Sequence, residues 1–309
     1  MQHVPMSLAR GGRRGFTMVE LLVALVLLGL VSAALYRVLV NNQRLYMAQT
    51  QRIDLSQNIR AAGSILPAEL RELDANEGDI ITMSATSITI RAQRWLSFVC
   101  QIPVLGVVPN WNGLSMIIRG GQPGQMGFYG ARGIRTTDSL LIYWDGNQTI
   151  RTDDYWPVGG VVAAPAAVCP GVPAGQPGTL LTFNATSAPV VFGTANVAGA
   201  ITVGAPVRGW ERVTYSLQQS ATDGQWYIYM TPAGQTAQPL IGPVLANGLS
   251  LSYFNAAGNV TAVASQVARI DLTVRGRTAN AIRKGGQAAA AVAVDSIVTS
   301  VALRNNRRF

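Results

Sequence analysis

The feature that most constrains this chain is an apolar run from Phe16 to Leu35, entered through Arg13, Arg14 and Gly15. About 20 such residues is the length at which a helix crosses the hydrocarbon of a bilayer. Paired arginines ahead of it favour a cytoplasmic amino end. One charge, Glu20, interrupts the run. An ionised carboxylate there costs on the order of a few kcal/mol unless a partner meets it, so the residue is expected to be used.

The remainder has the composition of a β-rich, loop-rich fold: 13% charged residues, 7% aromatic residues, 32 Gly and 15 Pro. The net charge is +9, but Arg10, Arg13 and Arg14 precede Gly15, so the rest holds 24 − 3 = 21 basic against 15 acidic residues. The resulting +6 is a weak case for nucleic-acid binding. A basic set of Arg283, Lys284, Arg304, Arg307 and Arg308 reads as a solvated tail and loop rather than a DNA site. The one histidine is His3. Beyond Gly15 no histidine base, Ser-His-Asp triad or histidine-ligated metal can be built. No nucleophile motif or carboxylate cluster replaces them, so the chain reads as a non-enzyme without a cofactor. Cys100 and Cys169 are too few for a Cys-only zinc site. They either form one disulfide closing a long loop or stay as two buried thiols.

Residues 1–15 read as a basic leader. An ordinary secretory signal has a shorter apolar core with its cut site after it, whereas the plausible cut here, Gly15-Phe16, precedes the core, so the helix would be retained. Residues 16–40 form the hydrophobic helix. Residues 41–76 continue it as an amphipathic helix whose stripe is Leu45, Ala48, Leu55, Ile59, Ala62, Leu66 and Leu73. Arg52, Asp54, Arg60, Glu69 and Arg71 fall on its solvated face, and Pro67 predicts a kink or restart.

Residues 77–309 carry short alternating runs, among them Ser87–Arg91, Leu96–Ile102, Val213-Tyr215-Leu217 and Ile270-Leu272-Val274, which predict antiparallel strands. The fold class is α+β, a long amino-terminal helix packed on an antiparallel sheet. A Gly/Pro-rich stretch around 145–209 reads as a partly irregular surface insertion. Within it Asp145, Asn147, Asp153 and Asp154 have the spacing of a calcium loop without its glycine and closing glutamate, and read as a turn. Gly120–Gly124 lacks a P-loop lysine and reads as a flexible turn. Trp111, Trp144, Trp156, Tyr129 and Tyr155 are candidates for stacking on a ligand, weighed against ordinary packing.

The sequence Gly15-Phe16-Thr17-Met18-Val19-Glu20 resembles the prepilin signal of type IV pilins and of the pseudopilins of type II secretion. The resemblance implies cleavage after Gly15 by a prepilin peptidase, methylation of the new amino terminus at Phe16, and a filament in which Glu20 pairs with the amine of an adjacent subunit. It also implies a single-pass stage in a bacterial inner membrane, with the globular domain outside the cytoplasm. Looser blocks, Leu55–Ala62 with Leu70-Arg71, Trp210–Tyr215, Val267–Val274 and Val301–Asn305, resemble minor pilins of the W type and J-type pseudopilins. That resemblance implies other minor and major pilins and an inner-membrane assembly platform as partners, with a role in initiating a filament near its tip. Two alternatives accompany it, a secretion pseudopilin and a pilus-carried adhesin or DNA-uptake subunit. Residues 95–209 resemble nothing in either group.

Overall fold

The computed structural model describes residues 15, 17–102, 106–108, 113–144, 156, 158–170, 175–185, 190–192, 200–282 and 289–303. One helix, α1 (Met18–Arg71), spans 54 residues, about 80 Å at 1.5 Å per residue. Almost every residue from Thr17 to Asp54 is exposed. Burial begins at Leu55 and recurs at Ile59, Ala62, Leu66 and Leu70, the three-and-four spacing of one helical face. Each such side chain contributes roughly 1.5–3 kcal/mol on leaving water, so this upper part anchors the helix to the sheet.

The helix does not restart at Pro67. It runs one further turn, because a missing N–H removes one bond while the buried ring and its neighbours Leu66 and Leu70 pack on the sheet. The end falls at Arg71, ahead of the boundary read at residue 76. Asp74 Oδ1 accepts from the N–H groups of Asn76 and Glu77, and Gly78 takes φ +78°. These side-chain bonds to backbone compete with helix and turn the chain.

Fifteen strands follow: β1 (Ile80–Met83), β2 (Ser87–Gln101), β3 (Gly106–Val108), β4 (Leu114–Arg119), β5 (Tyr129–Gly130), β6 (Ser139–Ile142), β7 (Val158–Ala163), β8 (Ala166–Val168), β9 (Pro177–Ala185), β10 (Val190–Phe192), β11 (Pro206–Gln219), β12 (Trp226–Pro232), β13 (Gln238–Phe254), β14 (Arg269–Arg277) and β15 (Val294–Ala302). All the pairings among them are antiparallel. Most of the strands form two structures that share one ribbon, with β5 added to β2 and β8 to β9, while β3 and β10 pair as a separate two-stranded sheet. The first is an open sheet, β1-β2-β11-β12-β13-β14-β15, with α1 across β13, β14 and β15. The second is a closed ring, β2-β4-β9-β7-β6-β11 and back to β2.

The shared ribbon is the pair β2–β11, in register from Ser216↔Ser87 to Pro206↔Phe98 apart from one irregularity. Gly209 pairs with Trp95 and Trp210 with Gln93, leaving Arg94 as an extra residue on β2. A bulge of this kind shifts which residues point to a given face. Accordingly the buried positions of β2 are Ile88, Ile90 and Ala92 before it and Trp95, Ser97 and Val99 after it. The first set joins the core under α1 and the second fills the barrel. This explains why two strands, Ser87–Arg91 and Leu96–Ile102, are read from a sequence that folds as one: the polar Gln93-Arg94 step marks a bulge.

The stretch 145–209 is not a surface insertion in its described part. Its Val161, Leu181, Phe183, Ile201 and Val207 lie in the barrel interior with Trp95, Met116, Ile118, Leu140 and Ile142. Short glycine-interrupted runs conceal strands that are buried by closure of the ring, which removes sheet edges. Gly120-Gly121 is likewise a packed turn, buried, with Thr179 Oγ1 donating to Gly120 O at 2.6 Å.

Cys100 at the end of β2 and Cys169 beyond β8 are joined as a disulfide, with Cα atoms 5.6 Å apart and a sequence separation of 69. In the chain-entropy model, closing such a loop stabilises the fold by about 4 kcal/mol. Replacing both cysteines by serine is expected to lower the unfolding free energy by about that much. Amide exchange of the full chain in detergent should show the largest loss of protection in β2, β4 and β9, with β13 and β14 changed least.

Candidate functional site

The amino end of α1 is organised by Thr17. Its backbone is extended at φ −81° and ψ 153°, its Oγ1 accepts from Glu20 N at 3.3 Å, and Glu20 Oε2 accepts from Thr17 N at 3.2 Å and from Thr17 Oγ1 at 3.4 Å. This is a capping box, in which two donors at the helix start are satisfied reciprocally. Its sequence signal is Thr17-x-x-Glu20 at the start of the apolar run. Glu20 therefore has an internal role before any partner arrives. It is exposed, and its negative charge lies in the first turn, where the helix dipole favours it.

Gly15 is exposed directly ahead of the cap, with nothing near the position a Cβ would take. Phe16 lies outside the described residues, as do His3, Arg13 and Arg14. Beyond Glu20 the helix shows large apolar side chains to every side, among them Leu21, Leu22, Leu25, Leu28 and Leu35, each more than half exposed. No charged residue occurs between Glu20 and Arg37. By length and composition this helix can cross a membrane.

At the other end of α1 a second arrangement appears. Glu69, read from the sequence as solvated, accepts from Arg94 Nη1 at 2.8 Å, while Arg94 Nε reaches Glu211 at 3.1 Å. Arg132 joins Glu211 at 3.3 Å to Asp138 at 2.6 Å, and Asp138 accepts from Trp95 Nε1 at 3.0 Å. Asp138 and Glu211 are buried. Burial favours a neutral guanidine, yet the carboxylates outweigh it and hold Arg94 and Arg132 above their ordinary range, Glu69 leading at Arg94 and Asp138 at Arg132. Burial, then the Glu69 charge, pushes the Tyr215 phenol up.

Beside this network a cleft of about 480 Å³ lies between the helix end and the barrel, lined by Glu69, Asp74, Glu77, Asp79, Arg91, Arg208, Trp156 and Trp210, among others. Arg91 stacks over Trp210 at 5.0 Å and Arg208 over Trp156 at 4.4 Å. Trp156 also meets Tyr143 edge-on, and Tyr129 meets Phe98. Trp144 is partly buried against the barrel core. Trp111, Tyr155, the Asp145–Asp154 segment and the basic residues Arg283, Lys284, Arg304, Arg307 and Arg308 lie outside the described residues. Among the described residues no group of three or more His, Cys, Asp or Glu side chains is placed to hold a metal.

The prokaryotic N-terminal methylation motif matches residues 10–36 of the 309. No curated protein and no solved structure matches the chain. The motif, together with the exposed apolar helix that it opens, supports a type IV pilin-like protein processed as a prepilin and anchored in a membrane before assembly.

Within the cleft Asp79 is raised to about 6, first by burial and further by the charges of Asp74 and Glu77, against the pull of Asp74 N–H and Arg91. Because the folded value exceeds the unfolded one of 3.8, the folded state binds the extra proton between them. This contribution to stability is complete below about pH 4 and is lost as pH rises through about 6. Asp79→Asn is expected to abolish this step and to gain about 2 kcal/mol at pH 7, since the amide Oδ1 still accepts from Asp74 N. Denaturant unfolding at pH 4, 5, 6 and 7 measures it; parallel pH profiles for the two chains would exclude Asp79 as the source.

Proposed function

We infer that this chain is a minor subunit of a type IV pilus, acting in initiation at or near the filament tip. The observation that carries the reading is the junction of three features within a few residues: exposed Gly15, the Thr17–Glu20 cap, and an apolar helix that is fully exposed among the described residues. In this reading a prepilin peptidase cuts after Gly15, Phe16 becomes the methylated amino terminus, and the domain lies outside the cytoplasm until assembly.

Glu20 then gains a partner. Its carboxylate bonds Thr17 N–H and Oγ1 in the single chain. In a bundle of such helices it accepts from the Phe16 amine of an adjacent subunit, where each charge satisfies the other in low dielectric. Retaining the cap bond while adding the amine is compatible with the several acceptor sites of a carboxylate. Other minor and major pilins supply the neighbouring helices, and an inner-membrane platform feeds them.

The barrel argues for a place at an end. It adds a second closed unit beside the helix-packed sheet, and bulk of that kind crowds a shaft but is accommodated on a cap. The same bulk would suit the tip of a secretion pseudopilus, so the genetic background decides between the two.

Gly15→Ala is expected to leave the prepilin uncleaved, seen as full-length chain retained in membranes. Glu20→Ala is expected to leave cleavage intact and to reduce surface filaments at least tenfold, with Glu20→Gln intermediate because it keeps the cap acceptor but not the charge. Efficient cleavage of the first or full piliation with the second would refute the assignment.

A further inference from the structure

Closed rings have no edges, so among the described residues the barrel half leaves few strand edges to protect. At one end of the open sheet, β1 is four residues long, is interrupted by a register shift between Ile80 and Thr82, and contacts the short helical turn Ala264–Gln266. At the other end β15 has nine residues, in unbroken register with β14 from Val294 to Ala302. It contains neither proline nor lysine, two of the usual devices against strand addition.

The outward backbone groups of β15 can be assigned. Leu303 N donates to Ala268 O, so by alternation residues 301, 299, 297 and 295 bond inward to β14, and Val294, Ser296, Val298, Ser300 and Ala302 present N–H and C=O outward. Ser296 N is taken by the Asp295 carboxylate. Val298 is 70% exposed and Val294 51%, and no strand among the described residues pairs with this edge.

The helix indicates what would lie alongside. Asn58 bonds Gly242 in β13, Leu55 and Ile59 lie over Gly276 in β14, and a Cβ on Gly63 would strike Ile297 in β15. Continuing around α1 in the same sense, at about 100° per residue, brings Ser56, Arg60 and Arg71 beyond β15. Arg60 and Arg71 are exposed, and neither forms a salt bridge among the described residues. They are eleven residues apart, about 16 Å along the helix, roughly the span of four to five strand residues.

We propose that the outer edge of β15 receives an extended segment of a different protein chain, which adds a strand to the sheet and carries carboxylates that meet Arg60 and Arg71. A second copy does not fit. Antiparallel self-pairing that keeps both helices on one face of the sheet requires a two-fold axis normal to the sheet. That axis reverses α1, so the two apolar halves would point in opposite directions and could not share a membrane. This last step rests on the membrane-helix reading; the strand-addition site itself does not.

The test uses the full chain in detergent micelles and two synthetic nine-residue peptides of alternating Val and Thr, one with Glu at positions 3 and 7, the other with Lys there. The Glu peptide is expected to bind at least tenfold tighter and to slow amide exchange at Val298, Ser300 and Ala302 at least tenfold. Arg60→Glu with Arg71→Glu should invert the preference. Val298→Pro should abolish binding, with protection at Leu272 in β14 retained as the control for folding. Equal binding of the two peptides, no binding, binding without protection of those three amides, or self-association through them overturns the proposal. None of these readouts passes through Gly15 processing, so they stand or fall separately from the pilin assignment.

Discussion

Everything in the globular part depends on how Arg94 is held. It is the extra residue of the β2 bulge, and the bulge turns the second half of β2 into a barrel strand while the first half stays under the helix. A guanidinium so placed would be costly without partners. Glu69 from the helix and Glu211 from β11 supply them, and Arg132 extends the chain of charges to Asp138 and Trp95 inside the barrel. Five charged side chains therefore fix three bodies together: the top of α1, the ribbon and the barrel. Gly209 belongs to the same device, since a Cβ there would collide with the Trp95 indole opposite it. The bulge, the glycine and the ion network specify one geometry, and removing Arg132 would leave Asp138 buried without its ion partner.

The helix divides by what it touches. From Leu55 onward it has a stripe matched to the sheet, with Ala48 packed on the same core and Gln51 accepting from Asn280 N just before it; the lower half, ahead of Arg37, exposes apolar surface to all sides. A soluble domain would bury such surface, and the alternating pattern of β13, β14 and β15 has no complementary face left for it. The lower half therefore contributes nothing to folding of the domain and is free to make its contacts with lipid or with other helices. The capping box suits this division. It gives an otherwise unsupported helix start an internal acceptor, so the first turn is formed before any neighbour contributes.

Legibility in the sequence followed period and composition. The α1 stripe, the alternating strands of the open sheet and the apolar run were readable because each repeats a simple pattern with one buried face. The barrel was not. Its strands are short, rich in Gly and Ala, and separated by polar steps, and the closure that buries them is a long-range property no local window contains. Pro67 misled because a local cost was weighed without the packing of Leu66 and Leu70 that offsets it. Glu69 reads as solvated for the same reason: its partner lies 25 residues on, and the polar Gln93-Arg94 step that marks the bulge does not show what it pairs with. At the amino end Gly15 and Glu20 were legible from motif, while Thr17 was legible from the capping pattern and overlooked.

The position of the barrel within the fold has a mechanical consequence. It grows from one end of the β2–β11 ribbon, beyond the bulge: β6 pairs with β11 at Val207–Trp210 and β12 pairs with the same edge at Val213–Gln219, so the surface that packs on α1 lies toward the other end. The two parts are nevertheless not independent. Glu69 lies on the last turns of α1 and is bonded to the arginine that sets the bulge. Load borne along the helix meets β14 and β15 first, through Leu55, Ile59 and Gly63, and the barrel at the helix end, through that pair. A link of two charges, partly buried and in line with the helix end, is stiff at small displacement and ruptures abruptly, whereas an apolar contact would slide. The network thus fixes the orientation of the barrel on the end of α1.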